Sequence, residues 1–417
     1  MNVFFLVIVL ALVCDYALHT VADLLNVRSL ERPVPGSIAA LYGQEVLERS
    51  KRYVREVTRE SIAERSSLLA VFILFWLTGG FDWLDGVVRD WTGSELVRGL
   101  AYVGLLALAY SAASVPLEAY HTFVIESRFG FNRTSWVTFL LDRTKGLALG
   151  AILGGALIAG VLQLFLTMGD IAWLLCWLTL AAFSLVVQWL GPSLILPLFN
   201  RFTPMPEGEL REAVVAYADF VRFPLENVYV IDGSRRSTRA NAFFTGLGRR
   251  RRIALFDTLI EQHSPAELVA ILAHEVGHYR LHHMVQGLLI GAAHAGVALF
   301  VLQLLLGQPG LYDAMGVGRP SLHVGLVGFA LIYAPLDAGL GVLVNRISRS
   351  QEYAADRFAL DTAPYPAALA FALRTLSVVN LTHPNPHLLY VMLNYSHPPL
   401  VQRLKAIDDH LVVADSG

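Results

Sequence analysis

The chain has 417 residues, of which 55% are hydrophobic and only 16% are charged, and its formal net charge is −2. Soluble domains usually carry about 25% charged residues, so this composition, with a mean hydropathy of +0.52, indicates a membrane protein. The small net charge gives no reason to expect a nucleic acid partner. The two cysteines, Cys14 and Cys176, lie in apolar stretches, which argues against a disulfide framework and excludes a zinc site made of cysteines.

Seven apolar stretches reach or approach the roughly 20 residues that a membrane-spanning helix needs. They lie near residues 2–22, 66–86, 98–118, 146–167, 171–191, 284–306 and 321–344. The first has no preceding basic residues and no small-residue cleavage site, so we interpret it as a retained helix and not as a removed signal peptide. The fifth is expected to stop at Pro192, because proline interrupts the helical hydrogen bonds.

Lysine and arginine residues mark the loops that face the cytoplasm. The loops after the first, third and fifth stretches are rich in these residues, whereas the alternate loops are short and carry few of them. Only an arrangement with seven spans brings all the basic loops to one side. The N-terminus is therefore predicted to face away from the cytoplasm, and segments 192–283 and 346–417 are predicted to face it.

These two polar segments differ in their patterns. Segment 192–283 has strand-like pieces at 228–231, 241–245 and 253–256, punctuated by glycines, and segment 346–417 has a helical pattern. Neither segment is long enough to form a domain comfortably alone, so we predict one cytoplasmic domain built from both. The resulting division is helices one to five at 1–191, the first part of the domain at 192–283, helices six and seven at 284–345, and the second part at 346–417.

A helix with a well-defined start begins at Ser264. This serine suits the N-cap, Pro265 suits the first helical position, and Glu267 completes a capping box. No further proline occurs before Met284, so we expect the helix to continue to that residue. Residues 274–278 of this helix read HEVGH.

The HEVGH segment has the spacing of a metal site. His274 and His278 lie one turn apart on the same helix face, where two imidazoles can hold one zinc ion. Glu275 lies on the neighbouring edge, where it can accept a proton from the attacking water. An HExxH segment can occur by chance, but a capped helix at the junction of a polar region and a membrane span favours the metal site.

The residues alone leave the third metal ligand open. Metzincins place a histidine where this chain has Met284, and His282 lies too far along a straight helix, so we interpret His282 and His283 as interfacial polar residues. A carboxylate from another helix is the alternative. Glu352 could bind the metal while Asp356, one turn later, accepts a hydrogen bond from a ligand histidine. A solvent-exposed helix face with ordinary carboxylates explains that spacing equally well.

An ordered set of short motifs resembles the type I CAAX prenyl protease family, which consists of integral-membrane zinc metalloproteases of the gluzincin type. The motifs are GFN at 130–132, PLFNRFTP at 197–204, NAFF and a following glycine at 241–246, HEVGH at 274–278, ExxxD at 352–356, and SHPP with a following arginine at 396–403. A single HExxH motif is moderately specific, whereas the ordered set is highly specific and covers most of the chain.

The resemblance implies a mainly α-helical, multi-pass membrane protein. Its seven transmembrane helices would enclose a chamber, with a gluzincin-like α+β metalloprotease domain on the cytoplasmic side. One zinc ion per chain would be held by His274, His278 and Glu352. Glu275 would be the general base, and Asp356 would support a ligand histidine.

The resemblance also implies roles in substrate binding. Asn241, Ala242 and Phe243 would belong to an edge strand that holds the substrate backbone by β-addition. His397 would stabilise the oxyanion, and Arg403 would bond the active-site backbone or the substrate. The alternative for His397 and Arg403 is a structural role in packing at the end of a helix.

The expected activity is cleavage of the C-terminal tripeptide from prenylated CAAX-type proteins or peptides. We expect a monomer in contact with membrane lipid, in a bacterial inner membrane or an endoplasmic reticulum membrane according to its source. One alternative is a membrane quality-control protease of broader specificity. Another is a transporter or channel with a structural metal site, although the paired broken helices expected of transporters are not evident.

Overall fold

Long apolar helices dominate the computed structural model, which describes residues 2–34, 36–239, 242–245 and 251–416. Six helices of the described residues are long and apolar enough to cross a membrane, and a bent pair of helices makes a seventh candidate. These candidate spans are Val3–Ser29, Leu41–Leu77 with Gly80–Trp91, Glu95–Glu126, Trp136–Thr167, Gly169–Phe199, His283–Leu306 and Leu322–Thr362. The seven predicted spans are thus confirmed.

The α-helices are numbered along the chain. They are α1 Val3–Ser29, α2 Gly36–Leu77, α3 Gly80–Trp91, α4 Glu95–Tyr120, α5 Trp136–Leu149, α6 Gly155–Thr167, α7 Ala172–Leu190, α8 Leu196–Phe199, α9 Glu209–Phe220, α10 Asp257–Gln262, α11 Pro265–Arg280, α12 His283–Leu306, α13 Pro309–Met315, α14 Leu322–Thr362, α15 Ala368–Val379, α16 Leu388–Asn394 and α17 Leu400–Ser416. Single π-helical turns follow α4, α5 and α7.

The second and fifth spans depart from the sequence predictions. The second bends by 67° between α2 and α3, because Gly79 adopts a left-handed conformation with φ 79° that glycine tolerates at little cost. The fifth does not stop at Pro192. A π-helical turn at Gly191–Ile195 accommodates that proline, and the helical path continues to Phe199.

The seventh span extends far beyond the membrane. Helix α14 has 41 residues, so it is about 60 Å long, roughly twice the thickness of the hydrocarbon core. Residues 342–362 contain neither glycine nor proline, and nothing interrupts the helix after it leaves the apolar region. The boundary predicted at 345/346 therefore falls in the middle of a helix, which carries Glu352 into the polar domain.

The apolar spans bury little of their surface within the protein. In the most apolar windows of the six unbroken spans, only 6–11% of the residues are buried. Helices in a close-packed bundle bury a continuous apolar face, so burial this low indicates helices arranged around a space. This arrangement fits the expected chamber.

A small sheet lies in the first part of the polar domain. Its described strands are β1 Phe202–Pro204, β2 Leu225–Ile231, β3 Ala242–Thr245 and β4 Arg251–Phe256, in the order β1-β2-β4-β3. Strands β2 and β4 are parallel, whereas β1 and β3 pair antiparallel with their neighbours. The three predicted strand-like pieces correspond to β2, β3 and β4. Strand β3 lies at the edge of the described sheet.

One hydrophobic core joins the two polar segments. Buried side chains from the sheet, such as Val228 and Ile253, pack in the same cluster as Leu272 of α11, Leu369 of α15 and Leu404 of α17. The chain crosses the membrane twice between the start of α12 and the end of α14, through these two candidate spans, so both points lie on the same side. The HEVGH helix and the helix that carries Glu352 therefore meet within this core.

The residues that precede β3 are anchored to the membrane helices. The guanidinium of Arg239 lies 2.9 Å from Oε1 of Glu126 and over the ring of Phe131. Tyr53 of α2 donates a hydrogen bond of 2.6 Å to the same carboxylate. On the other side, the hydroxyl of Thr258 donates to the carbonyl of Arg239. Arg239, the last described residue before β3, is thus held between the spans and α10.

Candidate metal centre and active site

Helix α11 begins as the sequence predicts and ends earlier. The side chain of Ser264 accepts from the amide of Glu267, and the Glu267 carboxylate accepts from the amide of Ser264, which completes the capping box. The helix stops at Arg280 and not at Met284, because His282 adopts a left-handed conformation with φ 58°. A new helix, α12, then starts in a different direction.

Three side chains converge at the junction of α11 and α14. The Nε2 atoms of His274 and His278 are 3.2 Å apart. Glu352 places Oε2 3.4 Å from Nε2 of His274 and Oε1 3.3 Å from Nε2 of His278. Among the described residues, this is the group of histidine, cysteine and acidic side chains whose donor atoms could together hold a metal ion. The structure therefore favours the carboxylate over a further histidine as the third member.

The spacing of these atoms suits a tetrahedral metal ion. Bonds of 2.0–2.2 Å in tetrahedral geometry place ligand atoms about 3.3–3.6 Å apart, and the three separations observed here are 3.2, 3.4 and 3.3 Å. Oε2 of Glu352 is also buried, and among the described residues no donor meets it in hydrogen-bond geometry, although Nδ1 of His397 lies 2.8 Å away. A bound cation would satisfy this oxygen, so the residues present fit a zinc ion.

Asp356 contacts His274 on the ring nitrogen that faces away from Glu352, and Arg403 holds Asp356. Oδ1 of Asp356 lies 2.8 Å from Nδ1 of His274, which leaves Nε2 of that ring to face Glu352. Arg403 is buried and holds both oxygens of Asp356, at 2.8 Å through Nε and 2.5 Å through Nη2. The predicted support by Asp356 matches this geometry. Arg403 was expected to bond the active-site backbone or the substrate, whereas the structure shows it bonded to the side chain of Asp356.

Glu275 and His397 complete the polar lining of an adjoining pocket. This pocket also contains His274, Glu352 and aliphatic side chains of α10, α11 and α15. Burial raises the pKa of Glu275, and the nearby His274 and His278 partly oppose that rise. The side chain of His397 is 65% exposed, and its Nδ1 lies 2.8 Å from Oε2 of Glu352. His397 therefore lies beside the converging side chains, and its predicted role at the oxyanion remains a prediction.

Gly277 allows α11 and α14 to approach closely. A Cβ atom at this position would lie 3.1 Å from both Cα and the carbonyl oxygen of Ala355 and 3.2 Å from Cβ of Phe358. These neighbours are backbone atoms or attached directly to backbone, so they cannot rotate away. The glycine in HEVGH is thus what lets Glu352 reach the two histidines.

We predict that Gly277→Ala separates the two helices by a few tenths of an ångström. Overpacking of this kind costs about 1–3 kcal/mol, and it moves Glu352 away from the histidines, so both the melting temperature and metal retention should fall. Gly287→Ala is the matched control, because nothing lies within 4 Å of a Cβ at that helical glycine. Equal behaviour of the two variants would contradict this account of the helix contact.

The predicted substrate strand is described only in part. Ala242 and Phe243 lie in β3, opposite Leu255 and Ala254 of β4. Asn241 lies outside the described residues. Their predicted contact with substrate remains a prediction, which the edge position of β3 makes geometrically feasible.

His283 is the member of the site that the sequence analysis missed. Its Nδ1 atom lies 2.9 Å from Nδ1 of His278, whereas the sequence suggested an interfacial polar residue. The left-handed turn at His282 brings the two rings together. A straight helix would not do so, and the sequence signal that could have revealed the contact is the tolerance of histidine for this conformation.

Comparisons with known proteins agree with this geometry. Residues 23–201 match the profile described as "CAAX prenyl protease N-terminal, five membrane helices", and residues 204–411 match "Peptidase family M48". The CAAX prenyl protease 1 homolog of Arabidopsis thaliana is 34% identical over 94% of this chain and 95% of its own length. The chain belongs to the CAAX prenyl protease family of M48 metallopeptidases. The human CAAX prenyl protease 1 homolog is 29% identical over 90% of this chain and 88% of the human protein's length.

The fold of the chain is also similar to that of a solved structure. The crystal structure of S. mikatae Ste24p superposes with a TM-score of 0.92 and 29% identity, over 98% of this chain and 99% of that one. Membership makes the chain a multi-pass membrane metallopeptidase, whose family implies a metal and a peptide or protein substrate. It thereby disfavours the transporter or channel with an incidental metal site.

Proposed function

We propose that this protein is a zinc-dependent endopeptidase that removes the C-terminal tripeptide of prenylated CAAX-type proteins or peptides. The observation that carries the proposal is the convergence of His274, His278 and Glu352 at tetrahedral spacing, with Glu275 beside them in one pocket. In this proposal the three side chains hold one zinc ion per chain. When bound, zinc supplies a Lewis acid that polarises the scissile carbonyl and acidifies the attacking water.

Glu275 acts as the general base. Its carboxylate takes a proton from the attacking water and later gives that proton to the leaving amine. Burial favours the neutral form of this carboxyl, so its pKa lies closer to neutral pH than that of an exposed glutamate. This shift makes the carboxylate a stronger base towards the attacking water.

We expect activity to depend on the ionisation of Glu275. The base must be deprotonated, so activity is present above its raised pKa and is lost as the pH falls through it. The acid limb of kcat/KM should therefore lie above the ordinary glutamate value of about 4.3. A pH–rate profile on metal-loaded enzyme tests this, and an acid limb below that value would contradict the assigned environment.

His397, Asp356 and Arg403 assist in different ways. His397 directs Nδ1 towards Glu352, so a doubly protonated His397 can also donate from Nε2 to the oxyanion that develops on the scissile carbonyl. Asp356 holds His274 in the tautomer that presents Nε2, and Arg403 fixes Asp356. We assign Arg403 a positioning role, since its buried guanidinium is already bonded to both oxygens of Asp356.

The substrate would enter as an added strand. Strand β3 is at the edge of the sheet that the described residues form, where an extended peptide can pair with it, and we assign this role to Asn241, Ala242 and Phe243. The open interior between the spans offers an apolar surround for a prenyl chain. The relatives' name, CAAX prenyl protease 1, supports this substrate class.

The sequence supports the proposed location of the enzyme in a membrane. The basic loops favour a site that faces the cytoplasm, the apolar spans require lipid around them, and we propose a monomer. Protease protection of the segment 346–417 in sealed vesicles, with known orientation, tests the sidedness. Cleavage from the non-cytoplasmic side would overturn it.

Cleavage of a farnesylated CAAX peptide beside its unprenylated twin tests the substrate class. We expect a higher kcat/KM for the farnesylated peptide, because a buried prenyl chain adds about 0.8 kcal/mol per methylene group transferred from water. The Glu275→Gln variant serves as the blank. Equal rates for the two peptides would remove the prenyl requirement and favour a quality-control protease of broader specificity.

A further inference from the structure

His283 is buried against one of the two histidines of the metal centre. Its ring centroid lies 5.0 Å from that of His278, with the planes at 73°, and the two Nδ1 atoms are 2.9 Å apart. The residue is only 9% exposed, although it begins a helix that enters the membrane. Burial excludes the interfacial role that the sequence suggested.

The turn between α11 and α12 produces this contact. In an uninterrupted helix, residue 283 would lie about 140° around the axis from His278 and could not reach its ring. His282 instead adopts φ 58° and ψ 29°, a conformation that costs most residues about 1–2 kcal/mol. This turn changes the direction of the chain after α11, so the side chain of His283 points back towards His278.

The positions of the protons define what His283 can do. Nε2 of His278 faces His274 and Glu352, so this nitrogen must offer a lone pair to a metal and the ring proton must be on Nδ1. Nδ1 of His283 then accepts that proton in a hydrogen bond, which requires His283 to be neutral and to carry its own proton on Nε2. A second N–H at this position would repel the first.

We propose that His283 is a positioning residue that fixes the tautomer and the ring orientation of His278 for metal binding. The proposal rests on the metal centre proposed above. Asp356 performs the corresponding task for His274, so the two rings have unlike partners. A neutral imidazole holds His278 without adding a negative charge to a centre that already contains Glu352 and Asp356.

Two substitutions separate hydrogen bonding from shape. His283→Leu introduces an apolar side chain of similar size and removes the acceptor, whereas His283→Asn places an amide oxygen near the position of Nδ1. Loss of a hydrogen bond of this kind typically weakens metal affinity about 10–100-fold, so we expect that loss in His283→Leu and near wild-type affinity in His283→Asn. His282→Asn is the matched control, because asparagine tolerates the left-handed turn and residue 282 is exposed.

The readouts are zinc affinity, measured by competition with a chelator, and the rise in melting temperature when zinc is added to the metal-free protein. A merely structural role would lower the melting temperature with and without zinc alike, whereas a positioning role diminishes the zinc-dependent rise. Wild-type zinc affinity in His283→Leu, or equal loss in His283→Asn and His283→Leu, would overturn the proposal. Failure of the metal centre itself is distinguishable, since wild type and His274→Ala would then bind zinc equally.

Discussion

Replacing Glu275 with glutamine should abolish most peptidase activity while the metal is retained. The amide preserves the size of the side chain but cannot accept a proton from the attacking water, so kcat should fall about 10²–10⁴-fold. Glu275 is not among the three side chains whose donor atoms converge, so zinc content should stay at the wild-type value. Peptide turnover and metal analysis on the same purified sample provide both measurements.

Glu261→Gln is the control for this variant. Glu261 is exposed and lies in the short helix α10 that precedes the HEVGH helix, so the same change should leave turnover unaltered. Near-normal activity in Glu275→Gln would contradict the general-base assignment. Loss of zinc together with activity would instead place Glu275 among the metal ligands.

His274→Ala should lose both the metal and the activity. The substitution removes one of three donor groups and leaves the buried Glu352 carboxylate with fewer partners, so we expect zinc content to fall from about one ion per chain to a small fraction of that. Turnover should fall to the uncatalysed background. The stabilisation that zinc binding contributes to the folded state should disappear as well.

His410→Ala controls for the general loss of a histidine. His410 pairs with Asp361 near the surface of the same domain, so its removal should change neither zinc content nor turnover. If His274→Ala kept one zinc ion per chain, the proposed metal centre would be wrong. Added zinc should not restore activity to the His274→Ala variant, because the variant lacks one of the atoms that would bind the metal.

The sequence predicted the elements whose signals are local. Apolar length identified the spans, and the capping box identified the start of the HEVGH helix at Ser264. The four-residue spacings within HEVGH and ExxxD, together with the family resemblance, predicted that His274, His278 and Glu352 come together. The structure then explained the glycine within the motif, since the contact of Gly277 with Ala355 is a tertiary constraint.

Features that depend on single backbone angles were not predictable. The bend at Gly79 and the end of α11 at His282 follow from left-handed conformations, which apolar periodicity does not reveal. The continuous α14 was divided at residue 345 because hydropathy changes there, whereas helix formation depends on the absence of glycine and proline after that point. The contact of His283 with His278 follows from the turn and was missed for the same reason.

Anomalous diffraction at the zinc absorption edge, from crystals of the active protein, tests the central claim most directly. We predict one peak per chain, bounded by Nε2 of His274, Nε2 of His278 and the carboxylate of Glu352, at about 2.0–2.2 Å from each donor atom. A zinc peak at any other position, or a fully active crystalline enzyme with no peak between these three side chains, would contradict the account.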